Sequence, residues 1–183
     1  MNITVYLGSA EGRDPRYGCG AQELGAWIGA NGHTLVYGGS RVGLMGILAE
    51  AALNAGAPVI GVEPQFLVES CLQHEGITEL IVTETMQERK GKMLALGDAF
   101  IAFPGGTGTL EEISEVISCV RLGLMDAPAI IYNLDGYYEP LRLLMDRMVQ
   151  EEFLDRKSRE KVFFASSIGD IEEILNRKGS GGQ

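Results

Sequence analysis

Short, continuous apolar runs recur along the chain, and between them the apolar positions fall at every third or fourth residue. The continuous runs read as strands buried on both faces, and the wider spacing reads as helices with one covered side. On this pattern the strands are Ile3–Leu7, His33–Tyr37, Pro58–Val62, Glu79–Val82, Ala99–Phe103, Ala129–Tyr132 and a short Lys161–Ala165. The helices are Cys19–Ala30, Val42–Ala55, Met86–Gly97, Thr109–Leu122, Gly136–Gln150 and Ile168–Leu175. The helix after the fifth strand carries a stripe of Ile113, Val116, Ile117, Val120 and Leu124. Ala10–Gly18 is polar, contains Pro15 and reads as a loop.

Strand and helix alternate throughout, with no second block of composition and no internal repeat. This predicts an α/β fold: a single domain over 1–177, with a doubly wound parallel sheet in three α/β/α layers. The Gly/Ser-rich residues 178–183 are expected to be a disordered tail. In such sheets ligands bind beyond the carboxyl ends of the strands. Three strands end there in glycine, at Gly8–Ser9, Gly38–Gly43 and Gly105–Gly108, so one shared pocket is expected.

Composition narrows the partners. At 183 residues and 45% hydrophobic, the chain can bury a full core. Its net charge of -10 argues against nucleic-acid and membrane partners, both of which present negative charge. A small anion held by local dipoles is still compatible. Cys19, Cys71 and Cys119 form no CxxC and no secretory leader is read, which points to a reduced, cytoplasmic setting. His33 and His74 have no metal-ligand spacing, so no metal is expected. No apolar run is long enough to span a membrane.

The chemistry concentrates in FIAFPGGTGTLEE, Phe100–Glu112. An apolar strand stops at Pro104, glycines follow, and a helix opens. Gly105, Gly106 and Gly108 allow close backbone approach to an anion, Thr109 adds a hydroxyl, and the helix dipole favours negative charge. The loop is neither a GxxxxGK[ST] phosphate loop nor a GxGxxG dinucleotide turn. Glu111 and Glu112 would repel a phosphate seated there unless they had a task. Two readings stand side by side. With Thr109 as N-cap, Glu112 completes a T-x-x-E capping box. Alternatively the carboxylates face the pocket, holding sugar hydroxyls or a water, or stabilising positive charge on a sugar carbon.

Arg89 and Lys90 tilt the balance towards the pocket. They interrupt the stripe of Met86, Met93, Leu94 and Leu96 on one helix. Cations on a covered face are costly unless paired or solvated in a cavity. Arg89 beside a phosphate or a working carboxylate explains this better than snorkelling at the stripe's edge. The run YGGSRVGLMG, Tyr37–Gly46, either touches phosphate or lets a helix pack closely. Ser9 either donates to an anion or caps a turn. Cys71 and Cys119 read as small core residues.

Taken together, YGGSRVGLMG, MQERKGKM, FPGGTGTLEE and LGLMDAPAIIYNLDGYYEPL resemble the LOG ("Lonely Guy") family, cytokinin riboside 5′-monophosphate phosphoribohydrolases once labelled lysine decarboxylases. The similarity runs from Ile3 to Leu154. It implies a Rossmann-like homodimer that cleaves the N-glycosidic bond of an adenosine-type 5′-monophosphate without metal or organic cofactor. By motif, Arg89 and Glu112 match the catalytic pair. Lys90, Gly105, Gly106, Thr107, Gly108, Thr109 and Glu111 match substrate-binding positions. Related sequences often carry a glutamate where Cys71 aligns, with Glu69 near but out of register. Many also have Thr-Trp where this chain has Ser118–Cys119, which bears on the base pocket. The rival readings are a general purine nucleoside 5′-monophosphate nucleosidase, a phosphate or cofactor carrier without turnover, and a decarboxylase needing a pyridoxal-phosphate lysine.

Overall fold

A computed structural model describes residues 1–69 and 72–179, with no account of the side chains of residues 178 and 179. Cys71 and residues 180–183 lie outside the described residues. Seven strands form one sheet: β1 (Asn2–Tyr6), β2 (Thr34–Tyr37), β3 (Val59–Pro64), β4 (Glu79–Thr83), β5 (Ala99–Ala102), β6 (Ala129–Tyr132) and β7 (Val162–Ala165). The order is β4-β3-β2-β1-β5-β6-β7 and every pairing is parallel. The fold is therefore a single α/β domain of the doubly wound type. The first four strands step outward from β1 one way and the last three step out the other way. The topological switch falls between β1 and β5, where Ile3 pairs with Leu35 on one side and Ala99 on the other.

Each face of the sheet carries its own apolar core. On one side α1 (Pro15–Ala30), α2 (Gly43–Asn54) and α8 (Ile168–Gly179) cover Ile3, Val5, Leu35, Tyr37 and Ile101. On the other, α4 (Met86–Leu96), α5 (Thr107–Arg121) and α6 (Glu139–Gln150) cover Tyr6, Val36, Val62, Phe100 and Ile131. Strand residues alternate between these cores, as the two-residue pleat requires.

Several boundaries differ from the sequence reading for local reasons. α1 starts at Pro15, inside the expected loop: Asp14 accepts the Arg16 N–H, and proline at the first helical position has no N–H to lose. α6 starts at Glu139 and not at Gly136. Leu134–Gly136 is a 3₁₀ turn in which Asp135 (φ 49°) and Gly136 (φ 77°) are left-handed and cannot continue a helix. Leu124 lies off the α5 stripe and is 73% exposed, because the helix ends at Arg121 and Gly123 (φ 72°) turns the chain. α8 runs on to Gly179, past the expected end at Leu175, because no helix breaker intervenes; the rest of the expected tail, 180–183, lies outside the described residues. α3 (Gln65–Val68) and α7 (Arg156–Arg159) are single turns, too short to leave a period in the sequence.

Candidate active site

The three glycine-rich strand ends converge at the switch point. They line a cleft of ≈ 340 Å³ bordered by Val5–Ser9 at the end of β1, Gly38 after β2 and Gly106–Thr109 at the start of α5. Ser9, Arg89, Lys90, Gly106, Thr107, Gly108, Thr109, Glu111 and Glu112 all line it. Gly105 does not. It faces an adjoining chamber of ≈ 320 Å³ lined by Tyr17, Leu44 and Tyr137. Cys119, half-buried and without a disulfide, does not line the cleft.

The start of α5 corrects the capping-box reading. Gly106 is the N-cap and Thr107 the first helical residue, so Glu112 sits in the second turn, beyond reach of a capping exchange. A T-x-x-E sequence does cap a helix at Thr85–Glu88, before and into α4, with the returning bond one residue earlier than in a full capping box. Thr85 accepts the Glu88 N–H at 3.1 Å, and the Glu88 carboxylate accepts the Glu84 N–H at 2.9 Å. At α5 the first N–H groups, Thr107 to Thr109, have no partner one turn back, and Gly106 brings no side chain to cap them. They border the cleft as a positive helix end. Gly105 must be glycine, because a Cβ there would overlap the Thr109 hydroxyl.

Freed from capping, Glu112 pairs with Arg89. Arg89 Nη1 donates to Glu112 Oε1 at 2.7 Å, and Nε donates to the Val62 carbonyl at 2.9 Å. The two side chains are only 9% and 11% exposed. Arg89 thus binds α4 to the end of β3 and to α5. Gly38 makes room for it, since a Cβ there would overlap Nη2. That assigns the second glycine run a packing role, and Gly43 (φ 61°) repeats it by pressing against the Ser9 carbonyl. Burial pushes the Glu112 carboxyl above the usual glutamate range, and the adjacent guanidinium only partly pulls it back. A carboxyl so placed can exchange a proton closer to neutrality than a surface glutamate.

A second ion pair stands at the rim. Lys90 Nζ donates to Glu111 Oε1 at 2.7 Å and lies 3.4 Å from Glu115 Oε2, within charge attraction but outside hydrogen-bond geometry. The bond to Glu111 raises the Lys90 pKa and keeps the amine cationic. The tension noted in the sequence resolves here: both glutamates next to the glycine loop already face a cation.

Tyr6, Met45, Leu67, Met86 and Met93 also line the cleft; none was read from the sequence as a site residue, Met86 and Met93 having been read only as helix stripe. Tyr6 ends β1, and burial, reinforced by Glu112 and Glu115, drives its phenol well above the tyrosine range. It remains a neutral hydrogen-bond donor. Its only sequence signal was its place two residues before Gly8, at a glycine strand end. Among the described residues, no group of three His, Cys, Asp or Glu side chains could hold a metal, and no helix is long and apolar enough to cross a membrane.

Fold and site define a doubly wound α/β protein whose switch-point cleft joins a glycine loop to a buried arginine–glutamate pair. A family model described as "Possible lysine decarboxylase" matches residues 45–175. A cytokinin riboside 5′-monophosphate phosphoribohydrolase from Rhodococcoides fascians is 43% identical over 168 residues, 91% of this chain and 85% of that protein. One from Arabidopsis thaliana is 39% identical over 173 residues, 94% of this chain and 81% of its own. The chain belongs to this LOG family. Among solved structures, the molybdenum cofactor carrier protein of Chlamydomonas reinhardtii superposes with a TM-score of 0.73 at 18% identity, covering 98% of both chains. At that identity the likeness concerns the fold alone.

Proposed function

We propose that this chain is a phosphoribohydrolase, cleaving the N-glycosidic bond of N6-substituted adenosine 5′-monophosphates to free base and ribose 5-phosphate. The observation that carries this reading is the Arg89–Glu112 pair, buried beside an uncapped helix N-terminus. A phosphate binder needs the second feature and has no use for the first. Kinship with the named phosphoribohydrolases supports the same chemistry.

In this reading the 5′-phosphate rests on the N–H groups of Gly106 to Thr109, with Ser9 and the Thr109 hydroxyl beside it. The ribose lies over Glu112. As the C1′–N9 bond breaks, its electron pair leaves with the base, which takes up a proton, and C1′ becomes oxocarbenium-like. The Glu112 carboxylate stabilises that charge or accepts a proton from the attacking water. Water then supplies the hydroxyl at C1′. Arg89 holds Glu112 in place. Lys90 and Glu111 border the sugar, and Met45, Met86 and Met93 offer a soft wall for the base. Lysine-based carbonyl chemistry fits poorly. A Schiff-base lysine must lose its proton readily, whereas Lys90 is held cationic.

Purified chain is expected to release base and ribose 5-phosphate from AMP and from isopentenyladenosine monophosphate, and to leave the unphosphorylated ribosides intact. Faster turnover of AMP would favour the general nucleosidase, and binding without cleavage would favour a carrier. We further propose a homodimer. Leu143, Leu144 and Met148 on α6 and Phe153 beyond it are left exposed, more apolar surface than a lone chain needs in one region. Light scattering in solution is expected to give twice the mass of one chain.

A further inference from the structure

Three successive carbonyls lead into the glycine loop, and each is held by a donor from another part of the chain. The Phe103 carbonyl accepts the Tyr138 hydroxyl at 2.9 Å. The Pro104 carbonyl accepts the Gly8 N–H at 3.2 Å. The Gly105 carbonyl accepts the Tyr137 hydroxyl at 2.6 Å. These partners set the directions: the 103 and 105 carbonyls point towards the segment after β6, and the 104 carbonyl points towards the chain leaving β1. The peptide between Gly105 and Gly106 is planar and trans, with no cis bond among the described residues. Its N–H therefore points opposite to its carbonyl. Tying the Gly105 oxygen to Tyr137 turns the Gly106 N–H to the β1 side, where the cleft lies.

The segment that delivers these phenols is itself well anchored. Asn133 Oδ1 accepts the Tyr138 N–H at 2.6 Å. Arg16 bridges to Asp135 at 2.9 Å across the left-handed turn. The Tyr137 ring stands edge-on between Tyr17, at 5.7 Å, and Tyr138, at 4.9 Å. Two adjacent tyrosines are thus fixed so that their hydroxyls meet two carbonyls of the same strand end. Tyr138 is buried and serves the strand, whereas Tyr137 is partly exposed and reaches the loop.

We infer that Tyr137 is a positioning residue for the anion seat: its hydroxyl fixes the Gly105–Gly106 peptide so that the loop's N–H groups are already aimed when phosphate arrives. This rests on the reading of the cleft as a nucleoside 5′-monophosphate site. Preset donors bind an anion without first reorganising. The contribution falls on binding, since the phosphate is seated equally in the substrate and in the transition state.

The test is Tyr137→Phe in the full chain, which keeps the ring packing and removes only the hydroxyl. Kd for inorganic phosphate by calorimetry and KM for AMP are both expected to rise about 5- to 10-fold, the worth of one hydrogen bond. The kcat for AMP is expected to stay within about 2-fold, and the melting temperature to stay within a few degrees. A merely structural tyrosine would lower the melting temperature and leave Kd unchanged. Parent-like Kd and KM in the variant would overturn the inference alone. A parent chain that binds neither phosphate nor AMP would overturn the reading of the seat, and this inference with it.

Discussion

Glu112→Gln is expected to lower turnover of a nucleoside 5′-monophosphate about 100-fold or more, the range for losing an acid–base or electrostatic group. The substitution is informative because it spares the architecture. Glutamine keeps an oxygen for Arg89 Nη1, whose present bond is 2.7 Å. Arg89 also keeps its bond to the Val62 carbonyl. KM and phosphate affinity are expected to change little, since the seat lies one helical turn earlier, at Gly106–Thr109. Steady-state kinetics with a melting curve check this. Near-normal turnover by a folded Glu112→Gln chain would refute the catalytic assignment and reduce the Arg89–Glu112 pair to a structural tie.

Stability carries a second signature of the same carboxyl. The folded chain holds its proton more tightly than the unfolded chain, because burial disfavours the charged form. A raised carboxyl stabilises the fold fully below its unfolded value, about 4.3, and loses that contribution as pH rises through the folded value. Across that window towards neutrality, the glutamine variant should gain stability relative to the parent.

How much of this was legible in the sequence follows from the range of each interaction. Strand identity depends on local apolar runs, so all seven strands were visible, with ends displaced by only a few residues. The glycine run at 105–108 marked a candidate seat because helix starts are local events. The role of Glu112 was ambiguous for the same reason. T-x-x-E is a local pattern, and it occurs twice, at Thr85–Glu88 and Thr109–Glu112. Only the first caps a helix, because α5 starts at Thr107, behind the N-cap Gly106, which has no side chain to cap with. The partner that settles Glu112 lies 23 residues away on another helix. Arg89 was flagged by its misfit on an apolar stripe, a local trace of a distant ion pair. Tyr137 left no such trace. Its partner is a backbone carbonyl 32 residues back, and carbonyls are invisible to residue patterns.

Arg89→Ala should combine a large loss of turnover with a shift in pH dependence, and the shift identifies the mechanism. In the parent chain, kcat/KM is expected to fall on the acid side as Glu112 takes up its proton. That limb should lie above the ordinary glutamate value, because burial outweighs the guanidinium. Removing Arg89 deletes the main influence holding the carboxyl down, while the loop, α5 and the burial they impose remain. The Glu112 pKa must then rise further and carry the acid limb towards neutrality. At neutral pH the loss should reach about 100-fold or more, from a displaced carboxylate together with its partial protonation. Raising the pH should restore the second part and leave the first. Arg89→Lys should retain the lower limb through its charge, yet lose turnover, because one ammonium cannot span Val62 and Glu112 as the guanidinium does. A pH–rate profile of the three chains separates these outcomes. An acid limb unmoved in Arg89→Ala would mean that some group other than Glu112 titrates in the rate, and the proton-transfer role would pass to that group.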